Sequence, residues 1–228
     1  MNIPIIYEDN HLLVVEKMVN IPVQADRSGD EDMLTLLKNM IKVRDKKPGN
    51  VYLGLVHRLD RPVGGVMVFA KTSKAASRLS DALRRKQFHR TYLAVVRGTP
   101  PKKSDRLEHY LFKDRRRNFV NIVEENYKGA QKAILDYVVL GTKDGLSLLS
   151  VTLHTGRSHQ IRVQLSTIGT PLYGDQRYGR NINRPGQQIA LWAHSLAFPH
   201  TTTKEMNTFK SLPPLEYPWH LWPSILKR

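Results

Sequence analysis

The chain contains no cysteine among its 228 residues, which excludes a disulfide framework, a thiol nucleophile and a cysteine-based zinc site. It lacks a basic N-terminal segment followed by a long apolar run, and no window approaches the roughly 20 apolar residues that a membrane helix needs. A phosphate-cradling glycine loop, a dinucleotide fingerprint and a metal-ligand cluster are all missing. So are helix-turn-helix and zinc-finger patterns, which argues against a generic DNA-binding module. Negative charge is scarce: 20 acidic residues stand against 36 lysines and arginines, a formal net charge of +16. That excess points to a polyanionic partner, with nucleic acid ahead of an anionic membrane because no basic amphipathic helix with bulky aromatics on its apolar face is evident. A cytoplasmic protein, monomeric and away from membranes, is expected.

Hydrophobic residues make up 40% of the chain, enough for a substantial core. No linker, repeat or low-complexity segment interrupts it, so residues 1–228 read as one domain. Ile3 to Lys17 reads as two short strands around the turn Glu8-Asp9-Asn10-His11. Asp30 is placed to cap a helix whose apolar face is Met33, Leu34, Leu37 and Ile41. Val51 to Val56 reads as a strand, and Ser73 opens a second helix with Ala75, Ala76, Leu79, Ala82 and Leu83 inward and a basic end from Arg84 to Arg90. Thr91 to Arg97 alternates as a strand with Tyr92, Ala94 and Val96 on one face. Two hairpins follow. One is tipped by the charge run Lys113 to Asn118, and the other turns at Thr142-Lys143-Asp144-Gly145 between Ala133 to Leu140 and Leu146 to His154. A third helix starts near Ser158, buries Ile161, Leu165 and Ile168, and stops at Gly169 before Pro171. Ile189 to Phe198 reads as a last long strand and Pro199 to Pro218 as an irregular tail. Trp219, Trp222 and Ile225 are expected to dock the C-terminus.

One stretch concentrates chemistry: His57-Arg58-Leu59-Asp60-Arg61-Pro62-Val63-Gly64-Gly65, followed by the short apolar run Val66 to Lys71. The glycine pair admits backbone angles closed to other residues, which puts Asp60 on a loop feeding a buried strand. Arg58 and Arg61 favour its ionised form by proximity. A carboxylate held ionised on a rigid loop is a candidate nucleophile or base. The plainer reading is a loop aspartate paired with neighbouring arginines. The second stretch is His154-Thr155-Gly156-Arg157-Ser158-His159-Gln160-Ile161-Arg162, in which Arg162 lies at the edge of the buried helix face and needs an acceptor.

Together these stretches resemble the pseudouridine synthases of the large-subunit ribosomal and tRNA type, whose signatures are H-R-L-D-x-x-[TS]-[SG]-G and G-R-x-H-Q-I-R. The resemblance extends to Ile6-Tyr7-Glu8-Asp9 with Leu12 to Lys17, Tyr92-Leu93-Ala94-Val95-Val96, Tyr173-Gly174-Asp175 with Tyr178-Gly179, and His194-Ser195-Leu196-Ala197-Phe198. It implies an α+β fold with a mainly antiparallel mixed central sheet, flanking helices and a basic active-site cleft. The activity implied is isomerisation of a uridine already in ribosomal or transfer RNA, with no cofactor or metal. Asp60 then matches the essential carboxylate, Tyr92 the acid/base or stacking residue over the uracil, and Arg162 the cation that orients Asp60. Arg58 matches an arginine that fills the space of a flipped base. His57, Arg61, Arg90, Arg115, Arg116, Arg117, Arg157, His159 and Gln160 complete the expected RNA-binding set. The chain departs from the family at Met18, where proline is usual, and at Val63 and Gly64, where hydroxyl residues are common. A non-catalytic RNA-binding or ribosome-assembly factor on the same fold is the rival reading. Such a factor would have no need of Asp60, Tyr92 and Arg162 together.

Overall fold

A computed structural model describes residues 3–226. The chain is α+β, with eleven strands and three α-helices among the described residues, and every strand pair whose register is resolved is antiparallel. It divides into two compact units, Met1–His89 with Ala193–Ser211, and Arg90–Trp192 with Leu212–Arg228.

In the first unit β1 (Ile5–Glu8), β2 (Leu12–Lys17), β4 (Gly64–Ala70) and β10 (Leu191–Pro199) are neighbours in that order, with β3 (Gly54–Leu55) on β4 and β11 (Met206–Lys210) on β10. Leu12 to Val15 and all of β4 are buried, so these continuous apolar runs form a strand layer covered on both faces. Gly65 permits the layer. At φ +117, a Cβ there would lie 2.3 Å from the carbonyl oxygen of Ala193 in β10. Helix α1 (Met33–Arg44) buries Met33, Leu37 and Ile41, and α2 (Ser73–Arg84) buries Ala75, Leu79 and Ala82. The cap of α1 is Asp32, whose side chain accepts from Thr35 N, and not Asp30, which instead holds Arg61. Of the strand expected over Val51 to Val56, only Gly54 and Leu55 pair. The expected irregular tail contains β11, whose alternation was hidden because its burial switches only between exposed and half-buried.

The second unit carries β5 (His89–Arg97), β9 (Leu146–Leu153), β8 (Gln131–Lys143), β6 (Ser104–Asp114) and β7 (Phe119–Val123) as neighbours in that order. Asp144 and Gly145, both at positive φ, turn β8 into β9, as the right-handed twist of a tight hairpin favours. Helix α3 (Gln160–Thr167) packs Val163 against Leu111, Val120 and Ala133. This contact seats the second signature on the sheet. Trp219 and Trp222 are buried at the C-terminal end, and Trp222 Nε1 would lie 2.9 Å from a Cβ on Gly141, whereas Ile225 is 41% exposed.

Candidate active site

Asp60 sits half-buried on the loop that leads into β4. The loop is fastened from beneath by a residue outside the signature. Lys17, at the end of β2 and fully buried, donates from Nζ to the carbonyl oxygens of Met18 at 2.9 Å, Arg61 at 2.9 Å and Val63 at 2.8 Å. Three acceptors match the three N–H donors of an ammonium group. Burial pushes Lys17 down to about 7, an effect the charge of Asp60 opposes and that of Arg61 reinforces. Val63 N donates to the carbonyl oxygen of Asp60 at 2.9 Å, closing the turn. The loop is therefore rigid without spending a side-chain hydroxyl at Val63 or Gly64. That accounts for how the chain can depart from the family's hydroxyl residues there.

Around this loop, Arg58 is exposed. The Arg61 guanidinium meets Asp30 through Nη2 and donates from Nε to the carbonyl of Asn20. His57 accepts from Val68 N at Nε2, 3.2 Å away, and lies edge-on to Phe88.

The second unit presents the other expected site residues. Tyr92 is buried in β5, in register with Val151. Arg162 is 7% exposed, and its Nε and Nη2 donate to the two carboxylate oxygens of Asp175 at 2.8 and 2.9 Å. This two-pronged pair fixes the plane of the guanidinium. Burial pushes the Asp175 carboxyl up, but Arg162 and the backbone N–H groups of Arg177 and Tyr178 outweigh it and hold the group below its ordinary value. The family resemblance implies Asp60 as an acceptor for Arg162; Asp175 is an acceptor that neither composition nor spacing marks. The only signal for it was its place in Tyr173-Gly174-Asp175.

Gln160, expected on the RNA, faces inward. Its Oε1 accepts from Thr155 Oγ1 and Arg157 N, and its Nε2 donates to the carbonyl of Ile134. Buried to 3% exposure, it ties the signature loop together. His159 is also largely buried, with φ 53 and its Nδ1 2.8 Å from the Tyr178 hydroxyl. Arg90 packs against Gly156 so closely that a Cβ there would lie 2.5 Å from Nη1, and its Nε is buried without a hydrogen-bond partner among the described residues. Arg157 is exposed and donates to the carbonyl of Lys132. Arg115, Arg116 and Arg117 are exposed at the β6–β7 tip, where Asp114 accepts from the backbone N–H groups of Arg116 and Arg117. Among the described residues no cluster of histidine and carboxylate ligands could hold a metal ion, and no helix is long and apolar enough to cross a membrane.

Comparison with known proteins bears on this arrangement. The family model described as RNA pseudouridylate synthase matches residues 11–167, a span that contains both signatures. An uncharacterized RNA pseudouridine synthase of Bacillus subtilis is 33% identical over 205 residues, covering 89% of this chain and 66% of its own length. A ribosomal large subunit pseudouridine synthase C of Buchnera aphidicola is 33% identical over 212 residues, covering 88% of this chain and 64% of its own. The chain thus spans about two thirds of the length of these relatives. The solved structure of human RNA pseudouridylate synthase domain containing 4 superposes with a TM-score of 0.78 at 22% identity, covering 98% of this chain and 92% of its own, a likeness of fold. With the Asp60 loop and the Arg162 helix both inside the matched span, the chain belongs to the RNA pseudouridylate synthase family.

Proposed function

We propose that this chain, acting as one catalytic domain, isomerises uridine in RNA to pseudouridine with Asp60 as the essential carboxylate. The observation that carries the reading is the Asp60 loop itself. A half-buried carboxylate on a turn locked by two Lys17 hydrogen bonds, to the carbonyls of Arg61 and Val63, is a group held in place for chemistry. In the reaction the bond from uracil N1 to ribose C1′ breaks, the ring turns over, and C5 joins C1′ while its proton passes to solvent and N1 gains one. Asp60 acts as an ionised group, either attacking or removing a sugar proton. Tyr92 serves as the acid/base or stacking group over the uracil, and Arg162 as the cation for Asp60, its orientation set by Asp175.

A uridine must leave its stack to reach such a group, at a cost of a few kcal/mol that is least in loops. Arg58 is the proposed wedge that takes its space. Arg90, Arg157 and the exposed cations at 115–117 are the proposed phosphate contacts, and the proposed substrate is ribosomal or transfer RNA, met by a monomer in the cytoplasm.

The test is tritium release from RNA labelled at C5 of uracil, on separate ribosomal and transfer RNA pools. The wild type should release label from the pool that holds its target, and Asp60→Asn should slow turnover by more than about a thousandfold while still binding RNA. Equal release by both proteins would remove Asp60 from its role. Tight RNA binding without release by either would favour the binding-factor reading.

A further inference from the structure

Within the first unit, and formed by groups other than Asp60 and its loop, α2 and the turn between β10 and β11 enclose a cavity of about 480 Å³, within the roughly 300–1,000 Å³ of ordinary ligand sites. Its walls include Arg78, Asp81, Arg85, His200, Thr201 and Lys204. Among the described residues, two of the cations have no carboxylate to answer them. Arg78 Nη1 donates to the carbonyl oxygen of Thr201 at 2.9 Å, and Lys204 Nζ to the same oxygen at 3.4 Å. Two positive charges thus converge on one neutral acceptor. Asp81 does not offset them, because it is engaged by Arg84 and by Arg85, the latter at 2.8 Å.

A second observation is independent of charge. Thr201 is 2% exposed, and its hydroxyl is one of the few buried polar groups with no hydrogen-bond partner among the described residues. A donor left unmade in this way carries a desolvation cost of about 1–3 kcal/mol, which a ligand would relieve. The turn that bears it is built to hold one shape. His200 N donates to the Glu205 carbonyl at 2.7 Å and Lys204 N to the His200 carbonyl at 3.1 Å. The imidazole Nδ1 accepts from Thr202 N and Thr203 N, which puts the ring proton on Nε2, facing Asp9. Lys204 itself is held at φ 67, a conformation that costs a side-chain-bearing residue energy and is kept where the surroundings impose it.

We propose that this cavity binds a phosphate of the RNA backbone, with Arg78 and Lys204 as its cations and the Thr201 hydroxyl as a donor. No Phe, Tyr or Trp lines it, so it lacks the platform on which a base would stack and suits the backbone instead. The inference rests on RNA being the substrate. It adds an anchoring point that fixes the strand relative to the enzyme without taking part in the chemistry.

Thr201→Val separates this role from a structural one. The hydroxyl makes no internal hydrogen bond, so an isosteric methyl should leave the Tm unchanged or raise it, while the Kd for an unmodified transfer RNA transcript, followed by fluorescence anisotropy, rises about tenfold. Lys204→Gln and Arg78→Gln should each lower the slope of log K against log salt by about one. Removing an equal charge elsewhere, in Lys47→Gln, should change affinity by less than about twofold. Inorganic phosphate alone should raise the Tm of the wild type but not of Thr201→Val. Unchanged RNA affinity in both Thr201→Val and Lys204→Gln would overturn the proposal. If phosphate still stabilised the wild type in that case, the cavity would take a free phosphate-bearing small molecule and not RNA. Because binding is read apart from tritium release, a wild type that uses the cavity yet releases no label would refute the isomerase reading alone.

Discussion

In the loop at 57–65 the carbonyls are gathered by a cation from another strand, Lys17, whereas in the loop at 154–162 the holding groups are Gln160 from the loop itself and Asp175, 13 residues beyond Arg162. Both solutions stiffen a loop that carries a functional side chain, but they distribute the risk differently. The first depends on one buried ammonium group that satisfies three carbonyls at once. The second divides the work between a neutral amide and a buried ion pair. A single substitution should therefore disturb the first loop as a whole and the second only in parts.

The largest effect is expected where the first loop meets its strand. Gly65→Ala places a Cβ 2.3 Å from the Ala193 carbonyl oxygen at a φ of +117, and should destabilise the chain by about 5 kcal/mol or more in urea unfolding. A smaller loss would mean that β4 and β10 can separate cheaply. Next comes Arg162→Ala, which leaves Asp175 buried without its cation. About 3–5 kcal/mol should be lost, and much of it should return in the double variant Arg162→Met with Asp175→Leu, although that variant should be inactive. If the double variant were no more stable than the single one, the pair would not be what holds the second loop.

Lys17→Met leaves three carbonyls without a donor but also removes a buried charge, so a net loss of about 2–3 kcal/mol is expected. It should lower kcat more than it raises KM. Its pH dependence sharpens the comparison. Burial brings Lys17 from 10.5 to about 7 in the folded chain, so between these values the unfolded chain carries the extra proton and stability rises with pH. The variant lacks that rise, and the gap between the wild-type and variant urea midpoints should widen from pH 7 to pH 10. A constant gap would show that the ammonium group stays charged in the folded protein. The smallest effect belongs to Gln160→Ala, about 1–2 kcal/mol, with faster amide exchange confined to residues 155–160. Exchange spreading through α3 would break the claim that the second loop fails in parts.

The signatures were legible because each compresses a local requirement into adjacent residues. Gly65 must be glycine where a strand approaches closely, and the apolar run after it must be buried. The hairpins were legible for the same reason, since Asp144-Gly145 and the cations at 115–117 mark turns that any sheet of this kind would need. The cap of α1 was misplaced by two residues because Asp30 and Asp32 are equivalent on local rules; only the position of Arg61 claims one of them. Gln160 shows the same ambiguity of local rules. A polar residue in an RNA-binding signature suggests RNA, yet the buried carbonyl of Ile134 and the hydroxyl of Thr155 needed a partner first.

From its sequence alone, then, most of the chain's strands and helices, its basic character and its two signature loops followed, because hydrophobic period, turn chemistry and motif spacing are short-range properties, and the resemblance carried by the signatures implied the α+β class. Lys17 under the Asp60 loop, Asp175 on Arg162, the strand β11 and the Thr201 cavity were decided by tertiary structure. Each joins groups distant along the chain to satisfy a buried charge or polar atom, or, at Thr201, leaves one unsatisfied. No local rule can say which distant partner a buried group will find.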